Sequence, residues 1–536
     1  MNEKLGDKMK ILIITGTIAE QNIIKHVKNY EKHELYIKTL PIPIAAFTTP
    51  KLVIYNLNKT TSFKSINTKK ECKLNEIDMI ITPGLMKQDA KIIQKQLNIP
   101  TFKGSTNSAD IKLTLDILDD MELSTTTPAD VLIRNKQYEE SMKIINKYNA
   151  RDSFTEDMLK EDCNILIGDC PTGLDFPMRV LGEIANATSY SDDELLNKVE
   201  YYIKSEADMI DIGMTAGENN PDKAHHMIKL IKDNYNIPLS IDSINPDEIK
   251  RGLEAGADLV LSVDHGNYDK VISDIKDYDA NAVMIPTDYS RNYIPSTAKQ
   301  RVESLEKLDK KCEDITTIAD LLLDPVNSPS LINSLEAYSL YRKRNPSKQM
   351  FFGVGNVSEL LDADSNGVHA VLAAIAMELD INILFTPEAS LKTKNAIREL
   401  KTASNMMFIA KYKESIPKNI GINLIQFKDA YKKDDATIST EGLEKIEAYG
   451  DGKFIPDKKG SFKIVVDDGY IKAIYYVNYE KTSVIYGKCA RDIYEEILRR
   501  DMISRLEHAA YMGMELQKAE TALKLDKQYV QDFPIF

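Results

Sequence analysis

The stretch DMIDIG (Asp208–Gly213) decides the fold, together with PLSIDS (Pro238–Ser243), which follows it at the distance of one helix. Each is a short apolar run that ends in a carboxylate beside Gly or Ser. Buried parallel strands have this form when their carboxyl ends face a ligand. Because parallel strands end at one edge of a sheet, the two stretches predict one shared site containing Asp211 and Asp242.

The same alternation of apolar strand and helix continues on both sides of these stretches. Eight strand candidates are each followed by a helical stretch, a pattern that predicts an α/β fold with a central (β/α)₈ TIM barrel. An open doubly wound sheet is the alternative, and eight consecutive units favour closure. The strand candidates are Arg179–Ala185, Met209–Gly213, Pro238–Ile241, Leu259–Val263, Ala282–Ile285, Leu321–Leu323, Met350–Gly353 and Ile381–Phe385.

The segments that flank the barrel have a different character, so we divide the chain into four parts. The pattern in residues 1–135 predicts a small Rossmann-like α/β domain with strands at Met9–Thr15, Leu52–Asn56 and Asp78–Thr82. Residues 136–164 form a helical linker, and 165–405 form the barrel. Residues 406–536 predict an α+β domain with a hairpin around Asp467–Gly469, and we expect it to cover the barrel or to mediate homo-oligomer formation.

Composition excludes several classes of protein. The 536 residues carry a formal charge of −13, which provides no electrostatic footprint for nucleic acid or an anionic membrane. No apolar stretch reaches the length of a membrane span or resembles a signal peptide, so we expect a cytoplasmic protein. The five cysteines lack any C-x-x-C spacing, which argues against a disulfide framework and a zinc ribbon.

Polar side chains follow the predicted barrel strands, where active sites of this fold lie. They form an acidic and amide-rich ring with few cations, which suits a ligand that offers several N–H donors, such as a pterin. Helix capping is the plain alternative for such residues. Asp264 and His265 lack a third ligand, and we predict no metal site. The ring contains Glu183, Asn186, Asp211, Asp242, Ser243, Ser262, Asp264, Asp288, Asp324, Asn356, Thr386 and Glu388.

Five short motifs in order resemble the pterin-binding barrel superfamily. This superfamily includes dihydropteroate synthases and the methyltransferases that take a methyl group from N5 of a reduced folate or methanopterin. The motifs cover about half of the chain, and the whole chain is similar to archaeal proteins called dihydropteroate synthase-related. The motifs are LGEIANAT (181–188), IDIG (210–213), LSIDS (239–243), EAGAD (254–258) and LLDP (322–325).

The synthase branch of this superfamily matches less well. A synthase displaces pyrophosphate and therefore needs cations for the leaving group. Its members carry Ser-Arg-Lys after strand seven and Arg-x-His after strand eight, where this chain has Gly355–Val357 and Phe385–Pro387. The asparagine that is common at the end of strand four is replaced by Leu261 or Ser262.

The methyltransferase branch matches better, because GVGNVS (Gly353–Ser358) resembles its Gly-x-Ser-Asn-x-Ser segment. The asparagine of that segment reaches N5 of the pterin, and hydrogen bonds that strengthen in the transition state make N5 a better leaving group. The resemblance therefore implies that Asn356 is catalytic and that a reduced pterin, of tetrahydromethanopterin or folate type, is the substrate. The residues that it implies for pterin binding are Glu183, Asn186, Asp211, Asp242, Ser243, Ser262, Asp324 and Asn356.

The acceptor of the one-carbon group stays open. The chain has no Asp-x-His-x-x-Gly of the kind that carries cobalamin, so a corrinoid acceptor must arrive on another protein. Two alternatives to methyl transfer also stay open: a dihydropteroate synthase-type condensation in archaeal pterin biosynthesis, and pterin binding without catalysis.

Overall fold

The computed structural model describes residues 8–68, 70–106, 108–119, 121–418, 420–426, 441–450 and 455–536. Of these residues, those up to Ile425 form one compact unit, and Gln426 with residues 441–450 and 455–536 belongs to a second. In the described part of the chain, no helix is both long and apolar enough to cross a membrane.

The first unit opens with a parallel sheet in the order β2-β1-β5-β6. Leu12 and Ile14 pack under one face of this sheet, and Ile11 and Ile13 pack under the other, as the period of two in a strand requires. Its elements are β1 (Lys10–Gly16), α1 (Glu20–Val27), β2 (Glu34–Leu40), α2 (Pro50–Asn58), β3 (Phe63–Lys64), β4 (Glu71–Cys72), β5 (Met79–Thr82), α3 (Lys91–Leu97), β6 (Thr101–Lys103), α4 (Ile111–Asp116), α5 (Ala129–Asn149) and α6 (Ser153–Met158).

The strand predicted at Leu52–Asn56 is wrong, because these residues lie in α2. Thr49 caps this helix by accepting a hydrogen bond from Leu52 N (3.3 Å), and Pro50 occupies its first turn. Val53 and Leu57 are buried four residues apart, the spacing of one helical face. The neighbour of β1 on one side of the sheet is instead β2, a strand that the sequence analysis did not predict.

The barrel confirms the predicted fold. Its eight parallel strands close in the order β10-β11-β12-β13-β14-β15-β16-β9. A hairpin of β7 and β8 precedes them and places Ile167 and Cys170 against the side chains inside the barrel. The strands are β7 (Asn164–Ile167), β8 (Cys170–Gly173), β9 (Arg179–Ile184), β10 (Met209–Gly213), β11 (Leu239–Asp242), β12 (Leu259–Val263), β13 (Asn281–Met284), β14 (Thr317–Asp320), β15 (Met350–Gly353) and β16 (Ile383–Pro387).

Amphipathic helices surround the barrel and bury their apolar faces against the outer side of its strands. Helix α5 joins this layer, because Ile145 lies in the same core and Ser141 donates to Ile420 O (2.7 Å). The sequence-based divisions at 135/136 and 405/406 fall inside α5 and α15, and the four-part division remains a proposal. The barrel helices are α7 (Asp192–Lys204), α8 (Pro221–Asn234), α9 (Pro246–Glu254), α10 (Tyr268–Asp277), α11 (Ala298–Asp309), α12 (Leu331–Arg344), α13 (Gly355–Ser358), α14 (Ser365–Glu378) and α15 (Ala396–Tyr412).

Strand six of the barrel lies earlier in the chain than predicted. The expected strand was Leu321–Leu323, whereas β14 ends at Asp320. Leu322 adopts a left-handed backbone conformation with φ of 63°, so the apolar run turns away from the strand. Leu321 and Leu323 are buried in the layer between strands and helices.

The second unit is an antiparallel sheet of β17, β18 and β19 with two helices on one face. The hairpin around Asp467–Gly469 forms as predicted, and β19 is a strand that the sequence pattern did not reveal. The elements are β17 (Ser461–Asp467), β18 (Tyr470–Val477), β19 (Glu480–Gly487), α16 (Ala490–Arg499) and α17 (Leu506–Lys524).

Candidate functional site

Three carboxylates meet inside the barrel at the carboxyl ends of its first three strands. Glu183 lies on β9, Asp211 on β10 and Asp242 at the end of β11, and one oxygen of each lies within 4.8 Å of the others. Each follows an inward-facing residue by two positions, as Asp211 follows Met209, so the period of two directs all three into the barrel. Such a group can hold protons, the N–H donors of a ligand or a hard cation.

The three carboxylates have few partners of their own. Asp211 is fully buried, and its Oδ1 accepts from the Ser240 hydroxyl (2.5 Å), whereas its Oδ2 has no hydrogen-bond partner. Burial raises the pKa of Asp211 well above its usual value, and the charges of Asp242 and Glu183 raise it further. Burial, with the charge of Glu183, raises the pKa of Asp242 to about 7. The cluster therefore retains protons near neutral pH.

Asp211→Asn is expected to stabilise the ligand-free protein at pH 8 by about 1 kcal/mol or more, because it removes a buried charge. Between about pH 4 and about pH 7 the folded chain still binds protons at these carboxyl groups, whereas the unfolded chain has lost them. The free energy of unfolding therefore falls as pH rises through this range. The gain should therefore be present at pH 8 and vanish near pH 4. Chemical denaturation at both pH values measures it.

Asp264→Asn is the matched control for this change. Asp264 is also buried, but it accepts from Gly266 N (2.7 Å), Tyr289 N (2.7 Å) and the Thr287 hydroxyl (3.1 Å). Its replacement should destabilise the protein, because an amide cannot accept all of these hydrogen bonds. A loss of stability at pH 8 in Asp211→Asn as well would contradict the account of the cluster.

Two more aspartates belong to the end of strand six. Asp320 ends β14 and accepts from the Tyr338 hydroxyl (2.7 Å) and Leu322 N (2.8 Å), while burial raises its pKa to about 6. Asp324 follows in the loop, where its Oδ2 accepts from Arg301 Nη2 (2.7 Å) and the Ser334 hydroxyl (2.8 Å).

Arg301 is the buried cation of the site. Only 1% of the residue is exposed, and Nη1 donates to Leu322 O (2.6 Å) while Nε donates to Pro295 O (3.3 Å). Arg301 thus forms an ion pair with Asp324 and also stabilises the left-handed backbone conformation at Leu322. The ion pair leaves Oδ1 of Asp324 for a ligand.

Asn356 lies in α13, directly after β15. Its Nδ2 donates to Leu323 O (3.0 Å), so the side chain turns back toward the loop that carries Asp324. The absence of a side chain at Gly353 permits this, because a Cβ there would lie 3.1 Å from Nδ2. In the closed strand order, β15 lies across the barrel from β11, so Asn356 and Asp242 occupy opposite sides of the site.

The remaining predicted residues differ in their exposure and in the protein contacts of their side chains. Asn186 is exposed, with a φ of 50° after β9, and Ser262 is half-buried within β12. The Ser243 hydroxyl donates to Glu248 (2.5 Å) and accepts from Asn245 N (3.0 Å), so it stabilises the start of α9. His265 contacts the Ser304 hydroxyl (3.1 Å) and belongs to a loop.

Sequence reasoning missed three residues of the site. The run TIAD before the predicted strand begins with two β-branched residues, which favour strands, and it could have revealed Asp320. Arg301 gives no signal, because it occupies an ordinary amphipathic helix. Tyr289 lies at the mouth of the barrel, where burial and the charges of Asp264, Asp320 and Asp242 raise its pKa.

Comparison with known families supports the pterin interpretation of the barrel. The family model described as pterin binding enzyme matches residues 184–340, which include Asp211, Asp242 and strand six and begin one residue after Glu183. A second family, described as PterinBD-DUF4346, matches residues 456–532 in the second unit.

Two relatives illustrate the range of similarity. The chain is 42% identical to "Uncharacterized protein MJ0107" of Methanocaldococcus jannaschii over 98% of this chain and 99% of that protein. It is 32% identical to dihydropteroate synthase of Streptococcus pyogenes serotype M1 over 100 residues, which are 17% of this chain and 38% of that protein.

Solved structures of dihydropteroate synthases show a fainter likeness. The enzyme from Yersinia pestis, in a complex with a sulfonamide drug, covers 47% of this chain with 99% of its own, at 12% identity and a TM-score of 0.38. The enzyme from Vibrio fischeri covers the same share at 16% identity and a TM-score of 0.38. The pairing of the eight strands itself defines the closed barrel.

Proposed function

The chain belongs to the archaeal, dihydropteroate synthase-related family of pterin-binding proteins, and on that premise we propose that its barrel catalyses methyl or other one-carbon transfer involving N5 of a reduced pterin. The pterin is of tetrahydromethanopterin or folate type. The observation that carries the proposal is the placement of the acidic cluster across the barrel from the amide of Asn356.

Each side of the site suits one edge of the bicyclic ring. The 2-amino-4-oxopyrimidine edge offers adjacent N–H donors, which a carboxylate accepts in bidentate fashion. Asp242 suits this role because its half-buried carboxylate lies at the carboxyl end of β11 inside the barrel. Asp324, held by Arg301, offers a second acceptor.

The opposite side of the site faces N5. Asn356 uses one N–H for Leu323 O and keeps the second for N5 of the ring. Hydrogen bonding that strengthens as the carbon departs stabilises the transition state. The methyl acceptor is a nucleophile from outside the chain, and a corrinoid carried by a partner protein fits this requirement.

Binding experiments separate methyl transfer from condensation. Calorimetry should detect binding of an N5-methyl tetrahydropterin, and single-turnover transfer to free cob(I)alamin should follow. Asn356→Ala should keep binding within about threefold and slow transfer about 100-fold, the usual effect of removing one transition-state donor. An unchanged rate in this variant would refute the N5 role.

The alternative reaction has its own readout. Tight binding of hydroxymethyl-dihydropterin pyrophosphate, with pyrophosphate release on addition of an arylamine, would replace methyl transfer by condensation. Lys392, a cation that follows strand eight, donates to Leu361 O (2.8 Å) and lies 3.3 Å from Asp362. Because this cation already has protein partners, we expect no pyrophosphate release. Binding of neither pterin would refute the proposal.

A further inference from the structure

The Glu183 carboxyl group differs from the other acids of the site in its freedom. Within the described residues it accepts no protein hydrogen bond, and its surroundings act on it through burial and the charge of Glu359 alone. Gly213 on the neighbouring strand makes room for it, because a Cβ there would lie 3.1 Å from Glu183 Oε1. The fold thus keeps an unengaged acid inside the barrel.

The same carboxyl group lies between the two halves of the site. On one side it approaches Asp211 and Asp242. On the other it is close enough to Glu359 to feel its charge, and Glu359 follows Asn356 by three residues at the end of α13. Strand β9 also pairs with β16, which is the neighbour of β15, the strand that α13 with Asn356 follows.

We propose that Glu183 is a catalytic residue that donates a proton to N5 of the bound pterin, while Asn356 orients the same nitrogen. This inference rests on the proposed function. It assigns the proton that methyl loss requires to a side chain of this barrel, where the amide of Asn356 can supply a hydrogen bond but no acid.

The lone pair of N5 takes the proton of the Glu183 carboxylic acid, which leaves a carboxylate and a positively charged N5. A two-electron nucleophile, such as the cobalt(I) of a corrinoid, attacks the methyl carbon. The carbon–nitrogen bond breaks, its electron pair returns to N5, and the product is a neutral N5–H pterin.

The electrostatics of the site agree with this role. Burial, and then the charge of Glu359, raises the pKa of Glu183 to about 7, which suits a general acid at neutral pH. The groups that face it are Asp211 and Asp242 on adjacent strands, Glu359 after α13, and Tyr202, whose hydroxyl donates to Glu183 O (2.8 Å). The charge of Glu359 favours the protonated form of Glu183.

Glu183→Gln tests the proposal, because glutamine keeps the size of the side chain and cannot donate an acidic proton. Affinity for an N5-methyl tetrahydropterin should stay within about threefold of wild type, whereas single-turnover methyl transfer to free cob(I)alamin at pH 7 should fall about 100-fold or more. The wild-type rate should decline as pH rises above about 7, and the rate of the variant should not depend on pH in this range.

The control is Glu218→Gln, which makes the same change at an exposed carboxylate in the loop after β10. It should leave both binding and transfer unchanged. Transfer by Glu183→Gln at the wild-type rate, in a protein that binds and demethylates the pterin, would overturn the role of Glu183 and leave the proposed function intact. Failure of the wild-type protein to bind or demethylate the pterin would overturn both.

Discussion

Arg301→Met is expected to lower the free energy of unfolding by about 3–5 kcal/mol and to weaken pterin binding at least about tenfold. Removing one partner of a buried ion pair leaves the other charge uncompensated, and this is the costly way to break such a pair. Here the stranded charge is Asp324, whose Oδ2 lies 2.7 Å from Arg301 Nη2. Chemical denaturation and calorimetry with an N5-methyl tetrahydropterin measure the two effects.

The loss of binding has a cause beyond the loss of charge. Arg301 Nη1 also donates to Leu322 O (2.6 Å), and Leu322 N donates to Asp320 (2.8 Å), so the guanidinium fixes a left-handed residue between the two aspartates. Residues in such sparsely populated backbone conformations persist only when their surroundings hold them. Without the guanidinium, the loop can relax and Asp324 leaves its position.

Arg342→Met is the matched control for Arg301→Met. Arg342 is a half-buried arginine that donates to backbone carbonyls such as Lys348 O (2.7 Å) and Asp380 O (2.7 Å) at the opposite end of the barrel. Its loss should destabilise the protein and leave pterin affinity unchanged. If both variants lose affinity equally, Arg301 has only a structural role.

The strand pattern explains how much of the site could be predicted from the sequence. Asp211 and Asp242 end apolar runs, and the period of two in a strand then places both inside a closed barrel. This reasoning extends to Glu183. It fails at strand six, because the apolar run Leu321–Leu323 looks like a strand although the backbone turns at Leu322. The local sequence pattern predicts which side chains face the interior, but it does not predict a left-handed turn at a leucine.

Contacts between elements that lie far apart in the chain could not be predicted from the sequence. The Arg301–Asp324 pair joins a helix to a loop 23 residues away, and no spacing rule identifies it. How far Glu183, Asp211 and Asp242 are removed from water depends on the side chains that the closed barrel packs around them, which the strand pattern does not reveal. Because protonation follows from this burial, the acid–base properties of the site are visible only in three dimensions.

Asp242→Asn is expected to weaken binding of a reduced pterin about 100-fold or more. A carboxylate accepts two N–H donors of the pyrimidine edge, whereas an asparagine must turn one N–H group toward them and loses the charge. A loss of this size corresponds to about 3 kcal/mol, within the range for removing one side of a buried charge-assisted pair. Calorimetry from pH 5.5 to 8.5 measures it.

The pH dependence identifies the residue responsible. Burial and the charge of Glu183 hold the pKa of free Asp242 at about 7, and the N–H edge of the pterin selects the ionised form. Wild-type affinity should therefore be constant above about pH 7 and fall by up to about tenfold per pH unit below it. The affinity of Asp242→Asn should vary much less with pH.

Asp222→Asn, the same change at an exposed aspartate in the first turn of α8, should match wild type. Unchanged affinity in Asp242→Asn would mean that the pterin edge lies elsewhere in the barrel.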